Sequence, residues 1–152
     1  MPDILEFARS NGRSPIISEP TEAIRSAQQQ CSLEHACLCA KIAEEYRGQD
    51  TLVLDLTNVT PIFDFFVLTT GASKRQMHAI AEEADRVLQS DGSRRNGIEG
   101  DDSSSWILQD YGDVVFHIFT LEARGIYDLE HLWSDAVQID WQAVNESSKP
   151  SL

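Results

Sequence analysis

Two runs, Trp106–Gln109 and Val114–Phe119, flank Asp110-Tyr111-Gly112-Asp113, and together they constrain the fold more than any other feature. A glycine among aspartates suits a four-residue hairpin turn. Side chains alternate along a strand, so Trp106 and Leu108 point one way and Ile107 the other, while Val114, Phe116 and Ile118 oppose Val115, His117 and Phe119. Both faces of the hairpin are largely apolar, and both need cover.

The remaining elements supply less cover than that demands. Ser32 is the predicted N-cap of a helix running to about Tyr46, with Leu33, Ala36, Cys37, Ala40 and Ala43 as its apolar stripe and Gly48 as its stop. Thr51–Thr57 alternates as a strand, and Phe63–Thr70 reads as a strand buried on both faces. Ser73 and Gln76 have capping-box spacing ahead of a second helix, whose buried stripe is Met77, Ile80, Ala81, Ala84, Val87 and Leu88, stopped by Gly92. Residues 93–105 read as loop. A short helix is predicted over Tyr127–Trp133 and a last short strand over Ala136–Trp141.

This order gives an α/β domain with a mixed four- to five-stranded sheet and helices mainly on one face. The uncovered face then either marks an interface or lies beneath the third helix and the tail. Residues 1–30, broken by Gly12, Pro15 and Pro20, read as a flexible N-terminal leader, 31–141 as the domain, and 142–152 as a disordered tail.

Charge narrows the partners. Twenty-five acidic residues against twelve basic ones give a formal charge of −13, which opposes direct DNA binding and favours a basic protein. The longest apolar runs are too short to span a bilayer. The N-terminus carries Asp3 and Glu6 and has no export signal, so the expected compartment is the cytoplasm, with no membrane partner. Cys31, Cys37 and Cys39 form no disulfide framework. Cys31, His35 and Cys39 share a helix face, but the outer two lie about 12 Å apart at about 1.5 Å rise per residue, too far for one ion. No metal or cofactor is expected.

Catalytic signatures are absent. The turn Gly71-Ala72-Ser73 with Lys74 and Arg75 resembles a phosphate cradle, but no strand-borne Asp-x-Asp follows to hold Mg²⁺. Asp101 and Asp102 are adjacent and point to opposite sides of an extended chain. Ser73, His78 and Asp85 have triad residue types without a nucleophile elbow. The chain is not read as an enzyme; a nucleotide-binding, nucleotidyltransferase-like enzyme is the alternative.

Several ordered motifs resemble one family. These are Gly48-Gln49-Asp50 with Leu54-Asp55, Asp64-Phe65-Phe66-Val67, Thr70-Gly71-x-Ser73-x-Arg75-Gln76, Gly97-Ile98-Glu99-Gly100, the hairpin from Trp106 to Phe119, and Tyr127-x-Leu129-Glu130-x-Leu132-Trp133. Over about residues 33–135 the sequence is similar to the ribosomal silencing factor (Iojap) family. The resemblance implies a nucleotidyltransferase-like fold without metal carboxylates and a homodimer when free. It also implies a translational repressor that binds the fourteenth protein of the large ribosomal subunit and blocks subunit association, or a large-subunit biogenesis factor without repression. It assigns partner binding to Trp106, Leu108, Asp110 and Tyr111, with Glu99, Asp113 and His117 as neighbours. Arg75 and Gln76, at a helix start, carry structural or dimer roles. Gln109 stands where an apolar residue is usual, and Phe65 where Tyr is common.

Overall fold

The computed structural model describes residues 22–101 and 103–147. Most of the expected leader therefore lies outside the described residues, as do Asp102 and residues 148–152.

A first helix, α1 (Glu22–Glu45), leads into strand β1 (Gln49–Asp55) and then β2 (Phe65–Gly71). Helix α2 (Lys74–Ser90) follows, then β3 (Gly97–Glu99), β4 (Trp106–Asp110) and β5 (Val114–Thr120). Two short helices, α3 (Leu121–Tyr127) and α4 (Leu129–Leu132), precede β6 (Val137–Ile139) and α5 (Trp141–Ser147). Among the described residues the sheet has six strands in the order β3-β4-β5-β2-β1-β6. Only β2 and β5 pair in parallel; every other neighbouring pair is antiparallel. The sheet is mixed, as expected, but gains β3 from a stretch read as loop.

Two expectations about element ends need correction, and one helix is unexpected. Helix α1 begins inside the predicted leader, at Glu22, and Ser32 sits within it, buried, rather than at its start. Ser32 instead donates a hydrogen bond to Asp113 Oδ2 at 3.3 Å. Residues 142–147 of the predicted tail are helical in α5, where the Trp141 indole donates to Thr51 O at 3.3 Å and Asn145 Nδ2 to Cys37 O at 3.0 Å. Leu121–Tyr127 forms a helix that periodicity misses, because seven residues are too few to define a stripe. Its signal is local: Thr120 Oγ1 caps it by accepting from Ala123 N at 3.2 Å.

The predicted caps of α2 hold. Ser73 Oγ accepts from Gln76 N at 3.1 Å, and the Gln76 side chain returns to accept from Ala72 N at 2.6 Å. At the other end Gly92 adopts φ 89°, a left-handed turn that favours glycine.

Two apolar layers result. Helices α1 and α2 pack Ala36, Ala40, Met77, Ile80 and Ala84 on Val53, Val67, Ile107, Phe116 and Ile118, with Trp141 of α5 against the same layer. The opposite face packs Leu54, Phe66, Leu68, Trp106, Leu108 and Phe119 under Ala123, Tyr127, Leu129 and Trp133. Helices therefore lie on both faces, the long ones on one and the short pair on the other. No helix among the described residues is long and apolar enough to cross a membrane.

Candidate functional site

The hairpin is clamped at its turn. Tyr111 N donates to Val114 O at 2.9 Å, and Gly112, at φ 95°, donates its N–H to Asp110 Oδ1 at 2.9 Å. Asp64 N and Phe65 N both donate to Asp113 O, at 2.9 and 3.0 Å, joining the turn to the start of β2. With the Ser32 bond, the turn is fixed to the sheet and to α1.

Within this frame Trp106, Leu108, Asp110, Tyr111 and His117 are all buried. Burial runs against the expectation that Trp106, Leu108, Asp110 and Tyr111 meet a partner directly: α3 and α4 cover Trp106, Leu108 and His117 on the face that the two long helices leave bare, while Asp110 is buried in the turn and Tyr111 in the layer under the long helices. Trp106 lies against Tyr127, ring centres 4.8 Å apart, and against Phe119 at 5.0 Å. Leu108 joins the same cluster. Asp110 spends its carboxylate on the turn. Tyr111 belongs to the other layer, where its hydroxyl donates to Asp85 Oδ1 at 3.4 Å and burial pushes its phenol up. Of the expected set, Glu99 on edge strand β3 and Asp113 in the turn are exposed.

His117 is the electrostatic centre of the covered layer. The Trp106 indole N–H donates to its Nδ1 at 3.2 Å, so the ring proton resides on Nε2. That Nε2, like the Trp133 indole nitrogen, is buried without a hydrogen-bond partner, and Phe66 packs edge-on between the two rings. Burial, reinforced by the Arg124 charge, lowers the His117 pKa to about 3, so the ring is neutral at physiological pH.

Arg124 fastens the cover to the sheet. Its guanidinium donates to Thr70 Oγ1 at 3.0 Å, to Asp50 O at 2.7 Å, and to the Glu130 carboxylate. Asp50 holds φ 50° beside a register shift in β1, which presents its carbonyl to that guanidinium.

On the outer side of the cover are residues that motif reading missed. Leu121, Ile126 and Leu132 are each 60% exposed or more, with Glu122, Asp128 and Asp135 exposed in the same stretch; Val137 is exposed too, but on edge strand β6 and on the face of Ile139. Ile98 is exposed on β3. The run Leu121–Trp133 is thus apolar on both sides, one half spent on Trp106 and Phe66 and the other facing solvent.

The Gly71–Ser73 junction is occupied by packing and capping. A Cβ on Gly71 would lie 2.5 Å from Met77 Cγ. Lys74 Nζ donates to Ser103 O. Gln76 Nε2 donates to Tyr46 O at 2.8 Å, a structural bridge between the two long helices. Asp101 is engaged by Ser103 and Ser104, whose hydrogen bonds hold its carboxyl below the usual range. Among the described residues no group of three or more His, Cys, Asp or Glu side chains is arranged to hold a metal ion.

The family described as "Ribosomal silencing factor during starvation" matches residues 29–151. The chain is similar to "Ribosomal silencing factor RsfS" of Halalkalibacterium halodurans, 34% identical over 107 residues, covering 70% of this chain and 92% of that one. It is 36% identical to the protein of the same name from Bacillus subtilis, covering 68% and 87% of the two chains. A crystal structure of a Chromobacterium violaceum protein superposes with a TM-score of 0.65 at 35% identity, covering 68% of this chain and 86% of that one. One from Bacillus halodurans gives 0.61 at 31% identity, covering 73% and 98%.

Proposed function

Because the chain belongs to the ribosomal silencing factor (Iojap) family, we propose that it represses translation by binding the large ribosomal subunit and blocking its association with the small one. The observation that carries this reading is the family match through residues 29–151, which takes in the hairpin and its cover. The partner is the basic fourteenth protein of the large subunit. The reading needs no catalytic step or cofactor, and it sets the protein in the cytoplasm, as a homodimer when free. The fold is taken as nucleotidyltransferase-like, its strand-to-helix junction serving packing.

The proposed contact surface is the outer side of Leu121–Asp135, with Leu121, Ile126 and Leu132 as anchors among Glu122, Asp128 and Asp135. Apolar anchors ringed by charge suit a basic partner. Glu99 and Asp113 contribute from the exposed edge and turn. Trp106, Leu108 and His117 act from beneath, by holding the cover in shape, and Asp110 and Tyr111 by fixing the turn.

The test is a subunit-joining assay with isolated subunits and saturating protein. Joining falls if the reading is right, and normal joining overturns it. Replacing Ile126 and Leu132 by Asp should weaken large-subunit binding by more than about 2 kcal/mol, the scale of a hot spot, with the fold intact. A biogenesis role is favoured by one relative's name, "Mitochondrial assembly of ribosomal large subunit protein 1" from Mus musculus, 27% identical over 64% of this chain and 44% of that one. It predicts accumulation of precursor large subunits on deletion, without derepression.

A further inference from the structure

Away from the hairpin, three side chains from two helices form a nucleophile, base and carboxylate in series. The exposed Cys31 Sγ lies 4.0 Å from His35 Nδ1. His35 Nε2 lies 2.9 Å from Asp91 Oδ2. Asp91 is the C-cap of α2, held by its own N–H bonds to the last turn, and the His35 side chain is only 13% exposed. The ring is therefore pinned between helices while the thiol remains open to solvent.

The carboxylate sets the tautomer. With Asp91 accepting from Nε2–H, the Nδ1 lone pair faces the thiol, the polarity a base needs to take its proton. Among the described residues, Asp91 is the charged group bonded to the ring. The other thiols are excluded from such chemistry, since burial pushes Cys37 up to about 12 and Cys39 higher still.

We propose that Cys31 is a His35-activated thiol that forms mixed disulfides with small disulfides such as oxidised glutathione. The thiol proton passes to His35 Nδ1, and the thiolate attacks one sulfur of the small disulfide. A new S–S bond forms at Cys31 as the old one breaks. The leaving thiolate departs with the electron pair and takes the proton from the imidazolium. Cys31 is oxidised and one half of the small disulfide is reduced.

The test follows mixed-disulfide formation on the full chain by mass spectrometry with oxidised glutathione, and by absorbance with a chromogenic aromatic disulfide, across a range of pH. Cys31→Ser should abolish the reaction. At about pH 6 the wild type should react about fivefold faster than His35→Gln; above about pH 9 the difference should vanish or reverse, because the more basic thiolate is the better nucleophile. Asp91→Asn, which keeps an acceptor for the ring but removes its charge, should give an intermediate profile and decides the matter if His35→Gln does not fold. Equal rates at low pH, or a constant ratio at every pH, overturn the proposal.

Discussion

His117 has its Nδ1 committed to Trp106 and its Nε2–H buried with no acceptor, so a second proton has no place in the folded state. Its folded pKa of about 3 lies below the ordinary value near 6.5. Between those values the unfolded chain binds a proton that the folded one refuses. The stability this site contributes is therefore full above about pH 6.5 and falls as pH drops, by up to about 1.4 kcal/mol per unit. Urea unfolding of the wild type and of His117→Phe at about pH 7 and about pH 5 tests this. Losing the Trp106 acceptor lowers the variant at both values, but its drop between them should be smaller than the wild type's by about 2 kcal/mol; equal drops would assign the acid sensitivity elsewhere. The alternation around His117 was readable in the sequence, as was the apolar character of both faces. Which layer covers Trp106 was not, because strand periodicity assigns a face and says nothing of what lies on it.

Helix α3 is held less by its own seven residues than by one guanidinium, since a helix this short is marginal alone. Arg124 ties it to Thr70 at the end of β2, to the Asp50 carbonyl in β1, and to Glu130 in α4. Arg124→Ala should cost about 2–3 kcal/mol, by leaving partly buried acceptors without a donor. Its specific mark should be faster amide exchange over Leu121–Trp133 while β2 and β5 stay protected. Uniform loss of protection would mean that the cover and the sheet unfold as one. The long α2 and the strand β2 were legible because caps and apolar runs are local signals. The bounds of α1 were less so: Ser32 has the right chemistry for an N-cap, but its hydroxyl is used by Asp113, eighty-one residues away. The strand β3 and helix α3 escaped for the same reason, since tertiary partners rather than intrinsic pattern fix short elements. The candidate site shared that fate. Its motif residues stood out by type, yet which apolar residues of Leu121–Leu132 stay exposed depends on the path of the cover.

At the scale of the whole chain, the formal charge of −13 restricts which part of a ribosomal particle this protein approaches. Ribosomal RNA carries a dense negative charge and repels it; a basic protein patch attracts it. The proposed partner is of the second kind, and the two contributions respond oppositely to salt. Attraction to the isolated basic protein is screened as ionic strength rises, so the association rate should fall several-fold between about 50 and about 300 mM salt, as the Debye length shortens. Against the whole subunit, screening also weakens repulsion by the surrounding RNA, and the dependence should be shallower. Ribosomal RNA stripped of protein should neither bind nor compete at any salt concentration. Stopped-flow association with the isolated protein and with whole subunits, alongside competition by stripped RNA, separates these terms. A rate that climbs with salt for the isolated protein, or effective competition by bare RNA, would transfer recognition from the acidic, apolar cover to contacts of another kind.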